Sequence, residues 1–304
     1  MIWTLFWLLV LAAVGFGNHF TKVALFPETW THEDAREREL KDQPLELEYY
    51  EVLEKKPFEV TSQHGYPLRG ILIETPGSTR TMIFVHGITY NLYGGVKYLK
   101  MFHEWGYNIV LYDQPNHGKS GGDVTTFGYY EKLDLAQIVD YVVVKLGSHQ
   151  EIGLHGESMG AATALQHGIL DSRIAFIISD CSFDTAFNEF KYRLKVEKHL
   201  PAFPVLYIAS FFSYLKTGVF FSAMNPLKAV SKLKLPVLWI HGLADAYTPC
   251  AQTKTLYDAH PGFKHLYLVE GATHAKAYQV DPQKYREVVA SFIEAIEEKK
   301  KGGI

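Results

Sequence analysis

The sequence has few cysteines and no excess of charge of either sign. Its 304 residues include two cysteines, Cys181 and Cys250, which cannot build a disulfide framework and which we expect to be free thiols. The 30 lysines and arginines stand against 33 acidic residues, for a net charge of -3, and both signs are spread along the chain. A protein that binds nucleic acid through its phosphates needs a basic patch. The composition therefore does not indicate a nucleic-acid partner.

Sequence signatures of metal and nucleotide sites are also missing. The chain has no zinc-type spacing of cysteine and histidine, no Gly-x-Gly-x-x-Gly after a predicted strand, and no internal repeat. Gly118-Lys119-Ser120 resembles the end of a phosphate-binding loop, but such a loop needs a glycine at the position that Asp113 occupies. We therefore expect neither a metal nor an organic cofactor, and we interpret His117 and Ser120 as residues that organise this loop.

From residue 57 onward, short apolar runs alternate with amphipathic stretches, and the chain length suits one large α/β domain. Phe58–Ser62 and Leu68–Ile73 flank a His64-Gly65 turn, which predicts an antiparallel hairpin at the start of the sheet. Helical patterns separate most of the later runs, as expected for a mostly parallel central sheet with helices on both faces over residues 57–304. The strands after the hairpin are expected at 81–85, 108–112, 151–155, 174–179, 235–240 and 265–269.

Residues 1–26 form a separate hydrophobic segment. The stretch is apolar except for Thr4 as far as Gly17, and apolar character continues to Phe26. A span of about 17–25 such residues can cross a bilayer. Three interpretations stay open: a membrane anchor, which we favour; a cleaved signal peptide, although no lysine or arginine precedes the run; and a helix packed on the domain or on a partner. The membrane side is left open, and a packed helix would place the protein in the cytoplasm.

Two further segments interrupt the α/β pattern. Residues 27–56 are charged and are interpreted as a solvated linker or helix between the apolar segment and the domain. Residues 184–224 are rich in aromatic side chains and separate two predicted strands. We interpret them as a helical cap insertion over the carboxyl edge of the sheet, because Lys216 and the flanking strands argue against a membrane span. The aromatic side chains either line an acyl pocket or only pack the cap against the body.

The most informative motif is Gly156-Glu157-Ser158-Met159-Gly160. An apolar run precedes it and the helical pattern Ala161–Gln166 follows, so the context is strand, sharp turn and helix. A serine at the apex of such a turn is held outside the sheet, and the flanking glycines leave room for the strained backbone. The first N–H of the helix then faces the position where negative charge develops on an attacked carbonyl. The motif therefore predicts a nucleophilic serine.

Two polar side chains that could complete a nucleophilic site follow later strands. Asp245 follows the strand predicted at 235–240, and His274 follows the strand predicted at 265–269. In open α/β sheets ligands bind at the carboxyl ends of the strands, so both residues are expected to converge on Ser158. Histidine can accept the serine proton and return it to the leaving group, while the aspartate holds the imidazole in the right tautomer.

Other polar residues also lie at strand ends. Asp180 is an alternative acid, although a residue in this position more often caps the next element. His241 and His155 are alternative bases, but a histidine at the end of a buried strand is more often a core residue with satisfied hydrogen bonds. Ser158, Asp245 and His274 remain the predicted catalytic set.

Five motifs in order make the chain similar to the α/β-hydrolase superfamily over about residues 57–298. Within it the chain most resembles bacterial membrane-associated serine hydrolases, which are related to carboxylesterases and more distantly to prolyl oligopeptidase-like peptidases. The resemblance places the oxyanion-hole donors on the backbone N–H groups of Ile88 and Met159. The motifs are His86-Gly87, the loop 113–122, Gly156–Gly160, His241–Asp245 and Gly271–His274.

The predicted function is a serine carboxylesterase that hydrolyses small to medium acyl esters through an acyl-enzyme. Haloalkane dehalogenases and epoxide hydrolases of this fold carry aspartate where this chain has Ser158, so acyl transfer to water is favoured. Loops 114–116 and 246–249 depart from the family pattern and leave the substrate open. The alternatives are a serine peptidase, for which Arg193 and nearby lysines are available, a monoacylglycerol lipase-like hydrolase, and a membrane-tethered interaction module on a hydrolase scaffold.

Overall fold

The computed structural model describes residues 2–302. Met1, at the start of the predicted segment 1–26, and Gly303 and Ile304, at the end of the predicted domain 57–304, lie outside the described residues. Within that range eight strands form one sheet in the order β1-β2-β4-β3-β5-β6-β7-β8. The strands are Lys56–Thr61 (β1), Pro67–Ile73 (β2), Arg80–Val85 (β3), Asn108–Tyr112 (β4), Glu151–Glu157 (β5), Ile174–Asp180 (β6), Val237–Gly242 (β7) and Lys264–Val269 (β8).

Strand β2 runs antiparallel to both of its neighbours, β1 and β4, and the remaining pairings of this sheet are parallel. The predicted opening hairpin and mostly parallel sheet are therefore confirmed. Parallel neighbours need crossover connections, which helices supply here. The helices of the described range are Ile2–Leu25 (α1), His32–Asp42 (α2), Pro44–Val52 (α3), Val96–Glu104 (α4), Glu131–Leu146 (α5), Met159–His167 (α6), Ala186–Lys198 (α7), Val205–Thr217 (α8), Pro226–Val230 (α9), Cys250–Ala259 (α10), Ala277–Val280 (α11) and Pro282–Gly302 (α12).

Each face of the sheet has its own hydrophobic core. Successive strand residues point to opposite faces. Phe84 of β3 packs with Phe102 in one buried cluster, whereas its neighbour Ile83 packs with Leu165 in another. Full burial of one such side chain stabilises the fold by about 1.5–3 kcal/mol. The two cores together hold the carboxyl ends of the parallel strands at one rigid edge.

The cap lies between β6 and β7, as the sequence predicts. It contains α7, α8 and a short 3₁₀ turn at Phe221–Ala223. Phe190, Leu206 and Phe221 are buried in a third cluster, together with Phe127 of the body. Part of the aromatic character of residues 184–224 therefore serves to pack the cap onto the sheet edge.

The carboxyl-terminal end of helix α1 is packed on the cap, whereas the earlier part of the helix is exposed. Trp3 is 75% exposed. Further along, Gly17 lies against Ile208 of α8, and a Cβ added to Gly17 would stand 2.7 Å from Ile208 Cγ2. The hydroxyl of Thr21 donates a 2.8 Å hydrogen bond to the carbonyl oxygen of Ala209. The last third of α1 is thus a structural part of the cap.

One helix among residues 2–302, Trp3–Leu25, is long and apolar enough to cross a membrane. Val205–Thr217 and Phe221–Val230 meet the same criterion only as a pair, and they are bent by 81° relative to one another. Signal sequences and buried core helices can also have this length and composition. Helix length alone therefore does not choose between the interpretations of residues 1–26.

Residues 27–56 form two short helices that lie on the body. The Thr31 hydroxyl accepts a hydrogen bond from the Asp34 N–H in a capping box that starts α2. The N–H of Trp30 donates a 2.8 Å bond to the carbonyl oxygen of Thr89, in the loop after β3. Glu39 is only 6% exposed. The charged segment is thus attached next to the carboxyl edge of the sheet, a contact that its composition does not predict.

Candidate active site

Ser158 lies at the turn between β5 and α6 with φ 55° and ψ -117°, a conformation that costs a serine strain energy. The turn closes because its two glycines have no side chain. A Cβ on Gly160 would stand 1.9 Å from the carbonyl oxygen of Val85, and one on Gly156 would stand 2.5 Å from Ala161 Cα. Any larger residue at either position would push the strand, the turn and α6 apart.

The structure brings the three predicted residues into one hydrogen-bonded chain. Nε2 of His274 lies 2.9 Å from the Ser158 Oγ, and Nδ1 of the same ring lies 2.7 Å from Oδ2 of Asp245. In the neutral tautomer that fits both contacts, the serine hydroxyl donates to Nε2 and Nδ1–H donates to the carboxylate. This is the arrangement in which a histidine can take the proton of a serine.

Asp245 is buried, and its carboxylate is surrounded by donors. Oδ1 accepts 2.9 Å hydrogen bonds from the N–H groups of Tyr247 and Thr248. Oδ2 lies 3.1 Å from Nε2 of His241, in addition to its contact with His274. Burial raises the pKa of Asp245, but the bonds from the two histidines and from Thr248 outweigh this and hold that pKa well below its usual range. Asp245 is therefore ionised at neutral pH.

The alternative acid and one alternative base lie elsewhere. The carboxylate of Asp180 accepts hydrogen bonds from Tyr98 and Tyr285, and burial together with the charge of Glu157 raises its pKa to about 6. His155 lies 2.8 Å from the Tyr285 hydroxyl, and burial lowers its pKa to about 3. Within residues 2–302 neither residue makes a hydrogen bond to a side chain of the Ser158–His274 pair.

The backbone N–H groups of Ile88 and Met159 lie beside Ser158. Gly87 is so close to the serine that an added Cβ would stand 3.5 Å from Ser158 Cβ. Ile88 and Met159 both border the cavity next to that serine. Over the described range, neither N–H donates a hydrogen bond to another protein group. Ile88 and Met159 thus lie next to the nucleophile, and their part as oxyanion donors stays a prediction.

Two buried histidines support the loop that carries Ile88. Nε2 of His86 accepts a 2.8 Å bond from the N–H of Gln114, and Nε2 of His117 accepts a 3.1 Å bond from the N–H of Thr89. Burial lowers the pKa of both rings, to about 3 for His117, so they stay neutral and able to accept. The bond from Thr89 agrees with the loop-organising part expected of His117, whereas the sequence pattern carries no signal for this use of His86.

A buried ion pair that sequence reasoning missed connects the nucleophile turn to the loop of His274. Nζ of Lys97 on α4 lies 2.5 Å from Oε2 of Glu157 and donates a 3.0 Å bond to the carbonyl oxygen of Ala275. Burial opposes both charges, but the pair holds the pKa of Lys97 above and that of Glu157 below their usual values. The one signal in the sequence was Glu157 itself, a charged residue at the second position of the nucleophile motif.

Two cavities meet at Ser158 and differ in character. The larger, of about 630 Å³, is bordered mainly by apolar side chains of α1, α7 and the body, including Phe20, Val23, Phe127, Phe183 and Phe190. The smaller, of about 250 Å³, has aromatic side chains in its wall together with polar and charged ones, the latter including Arg38, Glu39, Lys97, Lys276 and Gln279. Residues between 19 and 42 therefore contribute walls on both sides of the serine.

One group of side chains at the site resembles a set of metal ligands. Cys181, Asp245 and His274 bring their ligand atoms within 4.8 Å of one another. Burial raises the pKa of the Cys181 thiol well above its usual value, whereas a cysteine binds a metal as the thiolate. Both nitrogens of His274 already have hydrogen-bond partners. The chemistry of this set favours proton transfer over metal binding.

Comparison with known proteins places the fold and the family. The profile of the α/β hydrolase fold matches residues 80–203. An uncharacterised protein of Bacillus subtilis, YqkD, is 36% identical over 94% of this chain and 94% of its own length. The esterase Pf2001 of Pyrococcus furiosus superposes with a TM-score of 0.66 and 27% identity, covering 80% of this chain and 91% of the esterase.

A second solved structure shares the fold at lower identity. Est1E of Butyrivibrio proteoclasticus, solved with ferulic acid bound, superposes with a TM-score of 0.64 at 20% identity, over 80% of this chain and all of that protein. The family profile, the Bacillus subtilis relative and the two solved structures all agree with the ordered motifs of the sequence. The chain belongs to the α/β-hydrolase superfamily, as predicted, and the protein is a hydrolase.

Proposed function

We propose that the protein is a serine carboxylesterase that hydrolyses acyl esters through a covalent acyl-enzyme. One observation carries the proposal: Ser158, His274 and Asp245 form a continuous hydrogen-bonded chain, with 2.9 Å and 2.7 Å contacts to the two nitrogens of the histidine. A serine hydroxyl is a poor nucleophile at neutral pH unless a base takes its proton during attack. Here the base is already in place, and an ionised carboxylate orients it.

In acylation, Oγ of Ser158 bonds to the ester carbonyl carbon while its proton moves to Nε2 of His274. The carbonyl oxygen becomes an oxyanion, which the N–H groups of Ile88 and Met159 bind; one such donor contributes about 2.7–4 kcal/mol in the transition state. The C–O bond to the alcohol then breaks, and His274 gives its proton to the leaving oxygen. Water repeats these steps on the acyl-enzyme, which releases the acid and restores the Ser158 hydroxyl.

The two cavities support an ester that has an apolar acyl group and a more polar alcohol group. The apolar cavity fits an acyl chain, because its aromatic walls gain from burying hydrocarbon. The charged cavity fits the alcohol side, which can keep its hydroxyl groups hydrogen-bonded. The volume of about 630 Å³ is enough to hold the acyl group of an ester.

The peptidase alternative finds less support at this site. Of the cations considered for it, Arg193 borders the apolar cavity, but it pairs with Glu197 and its guanidinium lies 3.3 Å from the ring centre of Tyr247. A cation held in this way is not available for a substrate carboxylate. Lys191 is exposed and does not border either cavity at Ser158 among the described residues.

The experiment that tests the proposal is replacement of the nucleophile. Ser158→Ala is expected to lower hydrolysis of 4-nitrophenyl butyrate by at least about 10³-fold and to abolish labelling by a fluorophosphonate probe, with an unchanged circular dichroism spectrum. Ser179→Ala, at a buried serine of β6, is the matched control and should keep both activities. Ester hydrolysis that persists in Ser158→Ala would overturn the assignment.

A further inference from the structure

The outer face of α8 carries an apolar stripe. Tyr207, Phe211 and Leu215 recur at intervals of four residues, so they lie along one side of the helix, and they are 56%, 51% and 60% exposed. Phe203, just before the helix, is 73% exposed. A run of large exposed apolar side chains of this kind marks a contact surface. We call these four side chains the cap stripe.

The cap stripe lies next to α1. On α8, Ile208 and Ala209 contact α1, and they directly follow Tyr207 in the sequence. Before Gly17, α1 exposes an equally apolar surface. The cap stripe and α1 are therefore neighbouring parts of one apolar surface. Each helix also carries a lysine in its last turn, Lys22 and Lys216, where a long basic side chain can reach lipid head groups.

The length of α1 indicates how deep this surface would lie in a membrane. At 1.5 Å per residue, the free part of α1 before Gly17 measures about 22 Å, whereas the hydrocarbon core of a bilayer is about 30 Å thick. The remainder of α1 is packed on the cap. Insertion of the free part would therefore bring the cap to the membrane surface, with its exposed aromatic side chains at the depth of the head groups.

The apolar cavity beside Ser158 has α1 as one of its walls. Phe20 and Val23 of α1 border the cavity, and so do Phe26, which directly follows α1, and Phe190 of α7. The rings of Phe20 and Phe190 meet edge to face with their centres 5.7 Å apart. Val23 is 59% exposed and Phe26 is 40% exposed, so this wall of the cavity is also part of the outer surface. A hydrocarbon chain would have a short apolar route from that surface to the serine.

We propose that α1 and the cap stripe form one membrane-contacting face, and that the substrates are long-chain acyl esters dissolved in the bilayer, whose acyl chains reach Ser158 through the cavity between α1 and α7. This inference rests on the proposed esterase function and names its substrate class. The partner is a lipid bilayer, because Trp3–Leu25 of α1 is long and apolar enough to cross a membrane and the free part of that helix exposes its apolar side chains. Burial of the stripe in lipid would remove its apolar surface from water.

The test compares two substrates in the same proteoliposomes, with the full-length protein in phosphatidylcholine vesicles. One substrate is a long-chain ester dissolved in the vesicles, 4-methylumbelliferyl oleate, and the other is water-soluble 4-nitrophenyl acetate. We expect the double variant Phe211→Ser, Leu215→Ser to keep wild-type activity on the acetate and to lose about tenfold or more on the oleate. Neither residue borders the cavities at Ser158. The control double variant Val52→Ser, Val144→Ser, at residues 78% and 86% exposed on other helices, should match the wild type on both substrates.

A second variant examines the α1 wall from inside the cavity. Val23→Trp should shorten the range of acyl chains that are hydrolysed, so that the ratio of oleate to acetate hydrolysis falls about tenfold or more below that of the wild type. Equal loss of acetate and oleate hydrolysis in the cap-stripe variant, or an unchanged oleate rate, would overturn the inference. Absence of acetate hydrolysis in the wild type would instead overturn the proposed esterase function, so the two failures are distinguishable.

Discussion

Oδ2 of Asp245 lies 3.1 Å from Nε2 of His241, four residues earlier at the end of β7. The same nitrogen lies 2.9 Å from the carbonyl oxygen of Thr248, so its proton is shared between two acceptors in the Asp245 turn. On the other side of the ring, Nδ1 lies 2.7 Å from the hydroxyl of Thr253 on α10. His241 therefore fixes the carboxylate that in turn orients His274, and we assign it as a positioning residue for the proposed reaction.

Replacing His241 should lower turnover without removing the catalytic groups. A hydrogen bond to a charged group is worth about 1.5–3 kcal/mol, so His241→Leu is expected to lower kcat by about ten- to a hundredfold. Because loss of this donor leaves the Asp245 carboxylate with more negative charge to stabilise an imidazolium at the His274 base, the acid limb of the kcat/KM profile should move to higher pH. His241→Gln, whose amide can still donate, should recover part of both effects. Steady-state kinetics between pH 4 and 9 give the measurement.

His155→Gln provides the control for this prediction. His155 is also a buried histidine at the end of a strand, but its partner is Tyr285, away from the Ser158–His274 pair. Its replacement should reduce stability and leave the pH profile in place. If His241→Leu and His155→Gln had the same effect on the profile, His241 would be an ordinary core residue.

The sequence allowed the sheet and the proposed catalytic residues to be predicted because their signals are local. A glycine-flanked serine between a strand and a helix, and polar residues directly after two later strands, converge once the strands are parallel. The contribution of residues 27–56 could not be predicted in this way. Glu39 lies in a run of charged residues with the composition of a solvated helix, yet it is 6% exposed and borders a cavity at Ser158. Only the tertiary contacts of Trp30 and Tyr90 place it there.

The ion pair of Lys97 and Glu157 shows the same limit. The two residues are 60 positions apart, on α4 and at the end of β5, and a lysine on an amphipathic helix is ordinarily exposed. Its contact with the nucleophile turn follows from how α4 packs on the sheet. The hydrophobic periodicity of α4 cannot show which residues of the sheet edge its side chains contact.

Removal of the Lys97 ammonium group should destabilise the protein strongly. Lys97→Met leaves the carboxylate of Glu157 buried without its cation, which costs about 3–5 kcal/mol in the free energy of unfolding. The double variant Lys97→Met, Glu157→Gln should recover much of that loss, because the uncompensated charge is gone. Urea unfolding of the wild type, the two single variants and the double variant, all in the same detergent, gives the four free energies of this double-mutant cycle.

Lys100→Met tests whether loss of a lysine from α4 is sufficient to produce this effect. Lys100 lies one turn further along the helix, is half-buried, and belongs to no ion pair found among residues 2–302. Its replacement should change the free energy of unfolding by less than about 1 kcal/mol. A loss in Lys97→Met no larger than that of Lys100→Met would show that the pair contributes nothing to stability.

Glu189 gives the protein a pH dependence that is opposite in sign to that of a paired surface carboxylate. The residue is buried on α7, where Gln252 donates a 2.8 Å hydrogen bond to its Oε2, and burial raises the pKa of Glu189 from 4.5 to about 7. Because the folded-state pKa exceeds the unfolded one, the folded protein binds the proton more tightly. The resulting stability is fully present below about pH 4.5 and is lost as the pH rises through about 7, by about 3 kcal/mol in all.

Glu189→Gln should abolish this dependence, since the amide does not titrate and can still accept the bond from Gln252. The difference in unfolding free energy between wild type and variant, measured by urea titration from pH 4.5 to 8.5, should change by about 3 kcal/mol in favour of the variant as the pH rises. Val196→Ala, at an exposed residue of α7 that carries no titratable group, should give a difference that does not change with pH. A flat difference for Glu189→Gln as well would mean that the buried carboxylate stays ionised throughout, held by Arg193 and its hydrogen bonds.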